Sequence, residues 1–476
     1  MQTIPKMMDS NTSLPIGQKL AYGLGAIAYA APNQIMASFF LFYVTVILHI
    51  PPMVAGVILA ISVVWDAITD PWLGHVSDRT YSARFGRRHL YLLIGGIGTA
   101  MGTVFLWSIS PQASELYKIS MLLIGVLFTK TMLTFYGAPY FAIGGVISDN
   151  YDERSSIQSY RATFHLIGMM IALVGVTVVI FRATDAFPRG QLNPEAYPVM
   201  GLTIAVITLF IAILSVVFIP KDKRQQSKDE VTQKTTVWKL AVTSLKNANL
   251  RAVIVMIFIV EVAFQVSVAI GFHVNTFTYN LTGPQIGLIG LTVLGFSIFS
   301  QPLLLFISRG SEKKTALLIG MLLAMIGFIG MPLAFVWLEC LPLNQPQTIY
   351  YMLAFAVISG IGNGAFMSIP FSMVADVVDQ DEIKTGRRQE GLYFGLYNFA
   401  YKAGIAISIL IGGFIMDVIG FDSTLTQQST EVAYYLAMVP AWLLLAFTPA
   451  IYWAISKYQL DRETHNNILS TLQQSR

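Results

Sequence analysis

An all-α membrane protein of about twelve spans, arranged as two halves of six, is what three features of this 476-residue chain predict. Hydrophobic residues make up 55% of it and charged residues only 12%, where ordinary soluble domains carry about 25% charged, so the chain lacks the polar surface to face water on every side. Apolar stretches of ~20 residues or more recur along it, the length an α-helix needs to cross hydrocarbon. They are continuous instead of alternating, which excludes a transmembrane barrel and leaves the helix as the element that satisfies its own backbone. The longest polar segment, 220–250, stands near the middle with six such stretches on either side.

In chain order, residues 1–19 are polar and show no basic leader ahead of a small-residue cleavage site, so they read as a cytoplasmic N-terminus and not a signal peptide. Spans are predicted at about 20–48, 52–76, 89–110, 117–147, 157–181 and 197–219, a six-helix bundle over 20–219, and then at 251–276, 285–308, 315–338, 347–374, 391–416 and 432–456, a second bundle over 251–456. Residues 457–476 form a cytoplasmic tail. The linker 220–250 contains P-K-D-K-R-Q-Q-S-K-D-E and is cytoplasmic, with Val237–Ser244 mildly amphipathic and suited to a short helix on the membrane surface. Of the 30 basic residues, only Lys118, Arg182 and Arg189 fall in the odd-numbered loops, and Lys130, Arg161 and Lys402 fall within spans or at their edges. Short cytoplasmic loops collect lysine and arginine, so both termini are expected inside; the membrane is expected to be a bacterial inner membrane. An internal echo supports the halving: Ala138-Pro139-Tyr140-Phe141 leads into D-N-Y-D-E-R near the end of the fourth span, as Ile369-Pro370-Phe371 leads into D-V-V-D-Q-D-E at the end of the tenth. Two similar halves with sites between them suggest alternating access.

Chemistry is carried by the charges left inside the spans. Asp66 and Asp70 lie four residues apart in the second span, on one helical face, where two carboxylates raise each other's proton affinity or demand a cation between them. Glu261 is the third buried acid, and Lys130, Arg161 and Lys402 are the buried bases. Equal numbers of each sign suggest a neutralised polar network, because an unpaired ion at membrane depth costs ~2.5–3.5 kcal/mol or more. Amides and a hydroxyl gather at similar depth in spans one, four, seven and ten: Asn33, Gln34, Thr134, Gln265 and Asn363. Tyr136, Tyr140, Phe141, Tyr397 and Tyr401 offer aromatic faces to a ligand or to the core. The single cysteine, Cys340, excludes an intrachain disulfide and a cysteine-built metal site, and the six histidines form no metal-binding motif. No nucleophile, base and orienting acid stand in a recognisable arrangement, so an enzyme is not expected. A receptor that binds without transporting is a further reading.

With those residues in view, the chain resembles the glycoside-pentoside-hexuronide:cation symporters of the major facilitator superfamily. The resemblance rests on D-A-I-T-D-P-W-L-G in the second span, D-R-T-Y-S-A-R-F-G-R-R after it, A-P-Y-F in the fourth, and Y-N-F-A-Y-K-A-G in the eleventh. It implies a major facilitator fold and a cation site of Asp66, Thr69, Asp70 and Thr134, all oxygen donors suited to sodium, with a proton as the rival ion. It implies too that Lys402 and Arg161 face the solute, and that Asp78, Arg79, Arg87 and Arg88 close a cytoplasmic gate. Where the family's best-known galactoside carrier holds its sugar with two aspartates, this chain has Ala30 and Gly137, so galactoside recognition is not carried over. The expected solute site is Asn33, Gln34, Lys130, Phe141, Arg161, Glu261, Gln265, Asn363 and Lys402, with Lys130, Arg161 or Lys402 as counter-charge to a uronic or sulfonated sugar. The same resemblance reaches carriers of lysophospholipids. Expected partners are a small-molecule solute, the cation and the lipid bilayer, without nucleic acid. No cofactor beyond the transported cation is expected, and one chain carrying both halves is expected to function as a monomer.

Overall fold

The computed structural model describes residues 15–79, 88–147, 151–219, 243–310, 312–386 and 389–475. Among the described residues twelve helices are long and apolar enough to cross a membrane, and no strand occurs. They are α1 (Ile16–Phe42), α2 (Pro52–Arg79), α3 (His89–Trp107), α4 (Glu115–Val146), α5 (Tyr151–Met170), α6 (Ala196–Phe218), α7 (Ala248–His273), α8 (Gly283–Gly310), α9 (Lys313–Pro332), α10 (Thr348–Thr385), α11 (Glu390–Val418) and α12 (Thr430–Ser456). Each coincides with a predicted span. Two of the starts carry side-chain caps: the Asn247 side chain accepts from the Asn249 and Leu250 amides, and Ser429 accepts from the Val432 amide.

Three features are not visible in the sequence. First, α1, α5, α7 and α9 do not end as α-helices but widen into π turns at Tyr43–Ile47, Ile171–Ile180, Val274–Thr278 and Leu333–Trp337. Two residues beyond three of these turns the backbone takes a left-handed step, at His49 (φ 54), Asn280 (φ 53) and Glu339 (φ 49), which turns the chain out of the helix. α1 and α7, the first helices of the two halves, share this ending. Second, α10 runs to Thr385, past the predicted end near 374, so D-V-V-D-Q-D-E is helix and not loop. The aspartates tolerate this because they are paired: Asp376 is only 6% exposed and binds Lys313 at 2.6 Å and the Tyr458 hydroxyl at 3.2 Å. Third, the tail contains a further helix, α13 (Arg462–Ser475), tied down by His465, whose Nε2 lies 3.2 Å from Asp379 and 3.4 Å from Asp376. Of the amphipathic segment Val237–Ser244, residues 237–242 lie outside the described residues.

The chain divides into two compact units. Unit 1 comprises Met1–Phe40, Trp65–Val176 and Asn193–Lys228; unit 2 comprises Leu41–Val64, Thr177–Leu192 and Asp229–Arg476. In unit 1, α3 packs between α4 and α6, and small residues let the backbones approach. A Cβ at Gly95 would stand 2.3 Å from the Tyr136 amide nitrogen, and one at Gly96 would meet the Ala212 methyl at the same distance. Stacked tyrosines join α1 to α4: Tyr22 and Tyr140 rings lie 4.8 Å apart and Tyr140 and Tyr136 rings 5.7 Å apart. In unit 2 the crossing of α9 and α10 repeats the arrangement, with a Cβ at Gly362 falling 2.2 Å from the Ala324 amide. The end of α1, the start of α2 and the stretch Thr177–Leu192 belong to unit 2. Thr45 Oγ1 lies 2.8 Å from His273 Nε2, Gln191 donates to the Leu281 carbonyl at 2.8 Å, and Pro52 packs its carbonyl against Gly413.

Gly95→Val forces side-chain atoms into the α4 backbone and is expected to destabilise unit 1 by ~1–3 kcal/mol or more. Thermal unfolding of the detergent-solubilised variant should show a clear fall in Tm.

Candidate cation and solute sites

Unit 1 assembles a polar cluster from α1, α2 and α4. Asp66 and Asp70 share one face of α2, and α4 places Lys130 and Thr134 against them at the same four-residue spacing. The two helices meet in matching rungs. In the first, Lys130 Nζ lies 3.4 Å from Asp66 Oδ2 and donates to Asn33 Oδ1 on α1 at 3.0 Å. In the second, the Thr134 hydroxyl reaches Asp70 Oδ1 at 2.9 Å. Both members of the first rung are shielded from solvent, with 13% of the Lys130 side chain and 19% of the Asp66 side chain exposed. Beside the rungs the Trp65 indole donates to Thr131 Oγ1 at 2.8 Å, a further clasp between α2 and α4.

The hydroxyls differ in what they offer. Thr134 has a second acceptor in reach, the Lys130 carbonyl at 3.1 Å. Its single proton can turn there and leave the oxygen lone pairs free for a cation beside Asp70. Thr69 is buried and its proton points back into α2, 3.0 Å from the Trp65 carbonyl, so it too presents oxygen as an acceptor. The sequence-based set Asp66, Thr69, Asp70 and Thr134 is therefore drawn together on two adjacent helices of one unit. Lys130, expected among the solute contacts, stands instead on the aspartate pair together with Asn33.

The remaining solute candidates fall into smaller groups. In unit 1, Arg161 on α5 donates through Nε to Gln158 at 2.6 Å and lies 5.3 Å over the Phe141 ring, within cation–π range. Gln34 bonds Ser38 on its own helix at 2.7 Å. In unit 2, Gln265 donates to Glu261 Oε2 at 2.9 Å along α7, and α11 crosses so closely that a Cβ at Gly404 would stand 2.6 Å from that of Glu261. Asn363 donates to Ser297 on α8 at 3.3 Å, and Lys402 is half-buried on α11. Of the gating residues, Arg88 is buried and donates to the Ala142 carbonyl near the end of α4 at 3.0 Å. Arg87 and the side chains of Asp78 and Arg79 lie outside the described residues.

Two of the aromatic residues fall on the core side of the two alternatives. Tyr136 and Tyr140 are fully buried, and their hydroxyls are spent on the Gly25 and Tyr22 carbonyls at 2.9 and 2.6 Å, so they fasten α1 to α4. Tyr397 is buried as well, whereas Phe141 and Tyr401 stay more than a third exposed. Two neighbours escape sequence reading: Tyr29 meets Phe141 edge-on at 5.1 Å and the His165 ring lies 6.2 Å from Tyr29. Helical spacing is the available signal, since Tyr29 is one turn from Asn33 and His165 one turn from Arg161.

A sequence profile of the family described as MFS/sugar transport protein fits residues 21–462. The chain belongs to that family. Among its curated relatives, the uncharacterised symporter YjmB of Bacillus subtilis is 26% identical over 475 residues, covering 98% of this chain and 97% of its own. The putative glycoside/cation symporter YagG of Escherichia coli is 24% identical, covering 94% and 93%. The sodium-dependent lysophosphatidylcholine symporter 1 of Gallus gallus is 23% identical, covering 93% and 87%. Of solved structures, a point mutant of the nucleoside transporter NupG superposes with a TM-score of 0.67 at 11% identity over 92% of this chain and 99% of its own, a likeness of fold. This protein is thus a multi-pass membrane protein, a transporter of the major facilitator type and not an enzyme.

Thr134→Val removes an oxygen from the second rung while keeping its shape. Sodium binding to the purified protein, followed by calorimetric titration, is expected to weaken about tenfold, roughly 1.4 kcal/mol, with Thr134→Ser close to wild type.

Proposed function

We propose that this protein takes up a sugar, glycoside or uronide-like solute together with sodium, by alternating access, with both termini in the cytoplasm of a bacterial cell. The observation that carries the reading is the two-rung cluster of α2 and α4. It gathers carboxylate and hydroxyl oxygens without any soft donor, the chemistry that hard monovalent cations prefer. Cation binding there neutralises α2 and favours the arrangement that accepts the solute; coupling demands that each ligand stabilise the state that the other binds. The driving force is adequate: one monovalent cation falling through ~100 mV releases about 2.3 kcal/mol, enough for roughly 50-fold accumulation of a neutral solute. Sodium is favoured over a proton because both hydroxyls present lone pairs, which a proton on a single carboxylate does not need. The solute reading is supported by the family description and by YagG, and by Arg161, which stands over an exposed aromatic face.

A second reading is favoured by one specific finding, the resemblance to the lysophosphatidylcholine symporter of Gallus gallus over almost the whole chain. Under it the solute is an amphiphile with a charged headgroup and the same cluster drives the cycle.

Uptake of labelled glycosides, hexuronates, sulfonated sugars and lysolipids into proteoliposomes, with an inward sodium gradient or an inward pH gradient, separates these readings. Sodium-dependent accumulation of a sugar-class solute is expected. Asp70→Asn should reduce accumulation to background while the variant still inserts and unfolds cooperatively. Accumulation by a pH gradient alone would replace sodium with a proton, and accumulation of lysolipid alone would replace the solute class. Undiminished sodium-driven uptake by Asp70→Asn would remove the cluster from the mechanism.

A further inference from the structure

One carboxylate of the proposed ion site already carries a cation. Lys130 Nζ stands 3.4 Å from Asp66 Oδ2, and its second contact, Asn33 Oδ1 at 3.0 Å, comes from a third helix. The offset between partners is the same in both rungs, 64 residues, so α4 offers an ammonium to one aspartate and a hydroxyl to the other in a single register. An ammonium is a compact point charge with three donors. A sodium ion held by both carboxylates needs oxygen that this ammonium occupies, and two monovalent cations at one carboxylate repel each other.

We infer that Lys130 is a specificity-determining residue of the symport reaction, a tethered cation that competes with the transported ion for Asp66. Without the ammonium the Asp66 carboxylate is left to the ion, and the site becomes a stronger cation trap. The competition gives the transporter a reason to bind its ion weakly enough to release it on the far side. It also gives the displaced ammonium, still tethered to α4, a role toward an acidic group of the solute. This inference rests on the proposed cation role of Asp66 and Asp70.

The test is equilibrium binding of radiolabelled sodium to the purified full-length protein without solute, comparing wild type with Lys130→Gln, Lys130→Met and Lys130→Arg. Gln removes the charge but keeps a donor for Asn33 and Asp66; Met removes both; Arg keeps the charge. Folding is checked for each by size-exclusion chromatography and thermal unfolding, and the two neutral variants serve as alternates should one not fold. Sodium is expected to bind about tenfold more tightly to the neutral variants, with Lys130→Arg near wild type. Unchanged or weaker binding in a folded neutral variant overturns the inference, because a merely structural lysine would leave the ion affinity where it was or lower it. Absence of sodium binding in wild type and neutral variants alike overturns it as well. Asp66→Asn separates the two levels of argument. If it abolishes sodium binding while the lysine variants behave as wild type, the cation site stands and the inference falls. If it leaves sodium binding intact, the cation reading itself falls.

Discussion

A carboxylate held in hydrocarbon must have its charge met, and in this protein that constraint decides which helices touch. Desolvation of an ion costs several kcal/mol even after relaxation, and breaking a buried pair by removing one partner costs about 3–5 kcal/mol. Asp66 therefore cannot sit on α2 unless α4 or a bound cation answers it. Lys130 does so from α4, with Asn33 steadying the ammonium from α1. Asp70 accepts a hydrogen bond from Thr134, on the same helix as Lys130.

Such a cluster works only if α2 and α4 keep their register, and α4 is held from three sides. Its Tyr140 and Tyr136 hydroxyls bond backbone carbonyls of α1, Tyr136 also meets Ser215 of α6 at 3.1 Å, and α3 lies against its backbone at Gly95. Each net hydrogen bond of this kind contributes about 0.5–1.5 kcal/mol, and the stacked rings add about 0.5–1.5 kcal/mol per pair. The same helix carries Lys130 and Thr134 within its next two turns. A slip of one residue along α4 would rotate both rungs by about 100° away from α2. The buried tyrosines thus hold the α2–α4 cluster in register without being part of it.

The twelve spans are legible in the chain itself, because length and continuity of apolar residues are local properties that the bilayer dictates. Asp66 and Asp70 stand out equally well, since two acids a turn apart have no ordinary place in a membrane helix. Partnership is what local pattern does not carry. Nothing in the spacing of Lys130 says whether it meets Asp66, Glu261 or a solute, because the choice depends on which helices become neighbours. Tyr136, Tyr140 and Phe141 read alike as aromatic residues near one proline, yet the first two are sealed between helices and the third is open. The π turns are invisible for a related reason: Y-V-T-V-I and V-N-T-F-T differ in composition, and only their common place at the end of a first helix aligns them. The final aspartates of α10 look like a loop until Lys313, Tyr458 and His465 are seen to meet them.

The two halves repeat positions more faithfully than they repeat chemistry. Arg88 stands immediately before α3 and reaches the Ala142 carbonyl, three residues past Pro139 in α4. Lys313 opens α9 and reaches Asp376, six residues past Pro370 in α10. In both cases a basic residue at the start of the third helix of a half reaches the fourth helix beyond its proline. In the first half a backbone carbonyl is one of the groups that meet the cation. The second uses a carboxylate that is shared with Tyr458 and His465 and so brings the tail helix α13 into the same network. A repeat of this kind leaves only a faint trace in the sequence, since what recurs is the distance between a helix start and a proline-marked partner and not the identity of the groups that join them.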